Sequence, residues 1–173
     1  LLVRSSNALR RLETLGVNTG RINVTQPLQA GGQALQCEET DLTELSELLK
    51  GRPVWLATNV QIGELDAVLS AHRKASRLSH RLLLVLNPAQ ETMREDFAEC
   101  FTQDGLRFAD WSAGEEPDDT TQVLLASDPG DLGLFYRVSP VTFMGSSLVQ
   151  GQTGRNPFEA ATLGSAVRYG PNI

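Results

Sequence analysis

Apolar positions along the chain change period repeatedly, and the changes mark out its elements. Leu9, Leu12 and Leu15 recur near helical spacing. Ser6 or Asn7 can cap that helix and Gly16 can stop it. Residues 21–28 read as a short strand. Residues 29–37 include Gly31-Gly32 and keep neither period, so they read as a linker, and the main domain begins there. Asp41-Leu42-Thr43-Glu44 is a capping-box variant with a carboxylate at the cap. It predicts a helix through Leu45, Leu48 and Leu49 that Gly51 ends.

A repeat of strand and helix follows. Pro53-Val54-Trp55-Leu56-Ala57-Thr58 is an apolar run of strand length, and the helix after it, from Gly63, places Leu65, Val68, Leu69 and His72 on one face. Residues 82–86 form a second apolar run, followed by a helix with Met93, Phe97, Cys100 and Phe101 inward and Gly105 closing it. Residues 106–109 and 123–126 predict two more strands, joined by a polar loop over 112–121. Leu132, Leu134, Phe135, Tyr136 and Val138 suggest a short helix. Residues 141–144 read as a strand, 157–163 as a helix and 166–169 as the last strand.

Continuous apolar runs mark strands buried on both faces, and their alternation with helices of about ten residues gives right-handed parallel units. The fold class expected is therefore α/β, a Rossmann-like parallel sheet with helices on both faces, with its ligand site beyond the carboxyl ends of the strands. Both ends read as cut, because such a domain normally covers its last strand with another helix.

Composition narrows the function. The 173 residues are 40% hydrophobic and 21% charged, ordinary values for a globular chain. The net charge of −6, without a Lys/Arg block, argues against nucleic acid, which requires clustered cations. It does not exclude a nucleotide, because backbone amides can hold a phosphate. Cys37 and Cys100 have no metal-ligand spacing and read as reduced thiols. No stretch approaches the roughly 20 apolar residues of a membrane span, so membrane contact is expected only through segments outside this sequence. No cofactor and no metal site are expected. His72 and His80 lack partners for a triad or a metal site and read as structural. Asp128-Pro129-Gly130-Asp131 reads as a turn and cap, Glu115-Glu116-Pro117-Asp118-Asp119 as a solvated loop, and Trp55 and Trp111 as packing residues.

Candidate chemistry concentrates in residues 145–159, between a predicted strand and a predicted helix. Ser146, Ser147 and the glycines of the loop let a backbone approach a phosphate closely. Asn156 is a good helix cap, Pro157 the favoured first residue, and Glu159 lies in the first turn. Each feature alone is also ordinary punctuation at a helix start. Together they suggest free amides for a phosphate beside a carboxylate for sugar hydroxyls.

The runs Phe143-Met144-Gly145-Ser146-Ser147-Leu148-Val149, Gly154-Arg155-Asn156-Pro157-Phe158-Glu159-Ala160-Ala161, Leu163-Gly164 and Tyr169-Gly170-Pro171, with Pro53-Val54-Trp55-Leu56-Ala57 and Gly63-Glu64 earlier, resemble the C-terminal half of 3-deoxy-D-manno-octulosonic acid (Kdo) transferases. The resemblance implies a GT-B glycosyltransferase of two Rossmann-like domains that performs a metal-independent, inverting transfer. CMP-Kdo would be the donor and a lipid A precursor the acceptor, in lipopolysaccharide biosynthesis at the cytoplasmic face of the bacterial inner membrane. Residues 1–28 would be the tail of the acceptor domain and the crossover, and residues 29–173 the donor-binding domain. The family's general base lies in the acceptor domain, so no catalytic residue is assigned, and this piece alone is expected to be inactive. Donor-binding residues implied by the resemblance are Thr58, Ser146, Ser147, Gly154, Arg155, Asn156 and Glu159.

Departures from the family pattern are specific. Arg155 stands in place of a histidine, Ser146 in place of a glycine, and Gln29, Gln61 and Asn87 stand at or near positions where the family carries a lysine, a histidine and an Arg-His-Pro turn. A GT-B transferase for another nucleotide sugar, or a nucleotide-binding or interaction domain without turnover, are the alternative readings.

Overall fold

A computed structural model describes residues 2–3, 6–18, 20, 22–24, 34–152 and 154–172. The chain divides into two compact units, Leu1–Gly31 and Gly32–Ile173. In the smaller unit, β1 (Leu2–Val3) pairs in parallel with β2 (Asn23–Val24), and α1 (Ser6–Thr14) lies between them in sequence. Gly16 ends the helix with φ 81°, donating its N–H to Glu13 O as glycine caps do. Leu15 falls past the last helical residue and is exposed, not part of an inward stripe. The rest of the strand expected to residue 28, and the linker as far as residue 33, lie outside the described residues.

The larger unit is a six-stranded sheet, parallel throughout, in the order β5-β6-β4-β3-β7-β8. The strands are β3 (Val54–Val60), β4 (Leu83–Pro88), β5 (Phe108–Asp110), β6 (Val123–Leu125), β7 (Val141–Met144) and β8 (Ala166–Tyr169). The helices are α2 (Glu39–Leu48), α3 (Leu65–Ser76), α4 (Arg94–Gln103), α5 (Leu132–Val138) and α6 (Pro157–Thr162).

Successive residues of one strand feed opposite cores, which explains why the central strands read as unbroken apolar runs. Leu83 and Val85 pack with Leu45, Leu49, Phe135, Tyr136 and Ala160 on the face carrying α2, α5 and α6. Leu84 and Leu86 pack with Leu65, Val68, Leu69, Phe97 and Phe101 on the face carrying α3 and α4. Each fully buried leucine or phenylalanine contributes about 1.5 to 3 kcal/mol relative to exposure. The four residues expected on one face of α3 are the four it buries. On α4, Phe97 and Phe101 are buried and Cys100 is partly so; both cysteines are free thiols.

Helix α2 starts three residues earlier than the Asp41 cap predicts. Glu38 is the cap residue and makes no side-chain cap bond, and Asp41 sits inside the first turn, where its charge still complements the helix dipole. Leu48 is exposed, and Leu45 and Leu49, with Leu42 partly buried beside them, hold this segment to the sheet. The loop after β5 turns its acids on itself: the Asp118 carboxylate accepts from the N–H and O–H groups of Thr120 and Thr121, which hold it down to about 2. No helix among the described residues is long and apolar enough to cross a membrane.

Strand order positions the site. From β3 the chain moves to β4 on one side, and from β7 to β8 on the other, yet β3 and β7 are neighbours. The connections that follow them run to opposite sides of the sheet, the arrangement at which such folds place a ligand near the carboxyl ends of the strands.

Candidate functional site

At that junction the backbones of β3 and β7 meet closely. Gly145 N donates to Thr58 O at 2.7 Å. A Cβ on Gly145 would lie 2.5 Å from Asn59 O and 2.8 Å from Val60 Cα, so only glycine fits without displacing backbone. The two non-glycine residues with positive φ in the described chain, Asn59 (56°) and Ser146 (58°), sit on either side of this contact. Left-handed backbone costs a serine about 1 to 2 kcal/mol. Hydrogen bonds offset the cost. Ser146 Oγ donates to Asn59 O and accepts from Asn59 Nδ2 and Gln61 Nε2, all at 2.9 to 3.0 Å.

Beneath it lies a second buried polar group. Asn87 on β4 accepts from Thr58 Oγ1 and Asn59 N and donates to Ala126 O, tying β3, β4 and the end of β6 together. Thr58, Asn87 and Ser146 are all nearly or fully buried. Thr58 and Ser146 thus differ from the expectation for donor-binding residues: their hydroxyls are consumed inside the domain and do not line the cavity. Neighbouring side chains satisfy them before solvent or ligand can.

The cavity itself, about 400 Å3, opens between the end of β7, the loop before α6 and the end of β8. Met144, Gly145 and Ser147 form its floor, Gln152, Gly154, Arg155 and Pro157 one wall, and Tyr169 and Asn172 the other. Ser147 fastens floor to wall, its hydroxyl donating to Met144 O and accepting from Gly170 N. Asn172 N donates to Ser147 O at 2.9 Å. A Cβ on Gly170 would strike Ser147 O at 2.5 Å, so the two loops close on each other only with glycine there.

Of the expected residues, then, Ser147, Gly154 and Arg155 line the cavity. Asn156 acts as the cap of α6, its Oδ1 accepting from Phe158 N at 3.0 Å while its carbonyl accepts from Glu159 N. Pro157 has no N–H, so the first-turn amides anticipated as free for a phosphate are already taken. The polar capacity left at this wall is that of side chains. Arg155 Nε donates to Glu159 Oε2 at 3.2 Å, and both side chains are partly exposed, so the pair can rearrange around an anion. Tyr136 lies behind them, fully buried. Its hydroxyl comes within electrostatic reach of Arg155, Glu159 and Thr58 but meets hydrogen-bond geometry with none, and burial pushes its pKa up.

Sequence reasoning missed Gln152, Tyr169 and Asn172 as lining residues, and missed any role for Asn59. It gave Glu64 no role of its own. Glu64 was detectable, because Gln61 and Glu64 have the cap-to-third-residue spacing of a capping box. Glu64 Oε2 accepts from Gln61 N at 2.9 Å.

A parallel α/β sheet with helices on both faces and a glycine-floored cavity at the ends of β7 and β8 defines the chain's larger unit as a Rossmann-like domain. No family model matches the chain. It is 30% identical over 154 residues, 87% of its length, to the 3-deoxy-D-manno-octulosonic acid transferase of Haemophilus influenzae, covering 35% of that protein. It is 25% identical over its full length to the transferase of the same name in Rickettsia bellii, covering 40% of it. The chain therefore spans little more than a third of these relatives. The solved C-terminal CMP-Kdo binding domain of WaaA from Acinetobacter baumannii superposes with a TM-score of 0.69 at 25% identity, over 74% of this chain and 67% of that one. The chain is thus similar to Kdo transferases in sequence and to the C-terminal CMP-Kdo binding domain of WaaA in fold.

Proposed function

We propose that this chain is the donor-binding domain of a glycosyltransferase that moves Kdo from CMP-Kdo to a lipid A precursor in lipopolysaccharide assembly. The observation that carries this reading is the cavity between the ends of β7 and β8, floored by Gly145 and Ser147 and walled by Arg155. CMP-Kdo carries two anions, the phosphate diester that joins cytidine to the sugar and the carboxylate of the sugar, and hydroxyls on both halves. Arg155 supplies the cation for an anionic group, with the planar fork that suits phosphate and carboxylate alike. Its exchange of Glu159 for the ligand frees that carboxylate to accept from a hydroxyl. The side-chain amides of Gln152 and Asn172 complete a set able to recognise base or sugar edges.

On this reading residues 1–28 are the tail of an acceptor domain and the crossover, and residues 29–173 the donor domain of a GT-B enzyme. The general base and the acceptor site lie on the other domain, so this chain binds donor without turnover. The transfer inverts the anomeric centre without a metal, at the cytoplasmic face of the inner membrane.

Titration with CMP, followed by amide chemical shifts, tests the reading. Shifts should move in residues 144–159 and 169–172, and CMP should outcompete UDP. Unmoved signals in both segments would sink it, and preference for UDP would point to another nucleotide sugar. A second reading draws on Gln61 and Asn87, which stand where the family carries cations and here bond inward to Ser146, Thr58 and Ala126. A nucleotide-binding domain without turnover fits that substitution. A transfer assay on the longer parent decides between the two.

A further inference from the structure

Glu64, on the turn between β3 and α3, is almost wholly buried, at 1% exposure. No ion pair among the described residues reaches it. Three backbone amides satisfy its carboxylate instead. Oε2 accepts from Gln61 N at 2.9 Å and from Ser146 N at 2.6 Å, and Oε1 accepts from Leu148 N at 2.8 Å. One donor belongs to Glu64's own turn. The other two come from the loop after β7, more than 80 residues away in sequence.

The alternation along that loop is what gives the contact a function. Ser146 and Leu148 have their amides on Glu64, while Gly145 and Ser147, the residues between them, face the cavity. A carboxylate is the right group for this task. It accepts only, so both oxygens can face N–H donors, and charge-assisted bonds to buried amides are among the strong ones. Glutamine cannot replace it: with its oxygen towards Gln61 and Ser146, its NH2 group is turned on the Leu148 amide.

We propose that Glu64 is a positioning residue for the donor site, clasping alternate amides of the loop so that Gly145 and Ser147 present a fixed floor to the ligand. The proposal rests on the donor-site reading above and assigns within it a residue that does not itself touch the cavity.

The test uses the 173-residue chain, wild type and Glu64→Gln, with CMP as the probe. In wild type the Ser146 and Leu148 amide hydrogens should exchange slowly and resonate downfield. In Glu64→Gln those two signals should move while the amides of β4 and β6 hold, and the Kd for CMP should rise about tenfold, the loss of one bond to a charged group. Unchanged CMP affinity in a folded Glu64→Gln chain overturns the proposal. So does rapid exchange of the Ser146 and Leu148 amides in wild type, a measurement that decides even where the variant does not fold. A wild-type chain that does not bind CMP overturns the donor-site reading, and the positioning role with it.

Discussion

The support behind the cavity floor and the cavity's outer wall are built on opposite plans. At the β3–β7 junction, Thr58, Glu64, Asn87 and Ser146 are buried, and each has its hydrogen bonds inside the domain. At the wall before α6, Arg155 and Glu159 keep 29% and 21% of their side-chain surface and share one bond. Buried polar groups with every partner in place are costly to disturb and so hold a shape. A half-exposed ion pair is worth about 0 to 1 kcal/mol and gives way to a competing anion at little cost. One side of the site therefore sets geometry, and the other supplies the groups free to bind.

Substitutions should separate the two plans. The largest effect is expected at the junction: Gly145→Ala puts a Cβ against the backbone of Asn59 and Val60 and should cost about 3 kcal/mol, read as a lower urea midpoint. A loss below about 1 kcal/mol would mean that the junction yields, and that the contrast between the two sides is weaker than drawn.

Acid should weaken the fold from a third place, away from both sides. His72 on α3 is buried under Trp55, whose Nε1–H it accepts at Nδ1. Burial first, and the charges of Arg52 and Arg73 next, hold its pKa down to about 4 from the usual 6.5. The unfolded chain therefore takes up the proton first. The contribution of His72 is fully present above pH 6.5 and is lost as pH falls towards 4, by about 3 kcal/mol. Stability measured against pH should show that slope in wild type and a shallower one in His72→Gln.

The smallest effect on stability, and the most telling for the comparison, belongs to the open side. Arg155→Ala should change stability by less than about 0.5 kcal/mol while weakening CMP about tenfold, because the guanidinium serves the ligand more than the fold. Loss of stability without loss of affinity would reverse the assignment of the two sides.

Much of the framework was legible because it is local. The bounds of β7 and β8, the inward face of α3, and the start of α6 at Asn156-Pro157 all follow from period and capping chemistry within a few residues. The site was legible only in outline. Ser147, Gly154 and Arg155 reach the cavity, whereas Thr58 and Ser146, equally plausible by residue type, turn inward because Asn59, Gln61 and Asn87 wait there with matching hydrogen-bonding groups. Tyr169 and Asn172 enter the wall from a strand end that carries no local mark of ligand binding.

From its order of residues alone the protein had its alternating strands and helices, its glycine-bearing loop after β7 and a likeness to a transferase family. Period, caps and motifs act over a few positions and can be read in one dimension. The tertiary structure decided the strand order, which hydroxyls face a ligand, and that a carboxylate at residue 64 grips amides at residues 146 and 148. Those outcomes depend on which buried donors and acceptors meet across the sheet, and that pairing exists only once the strands stand side by side.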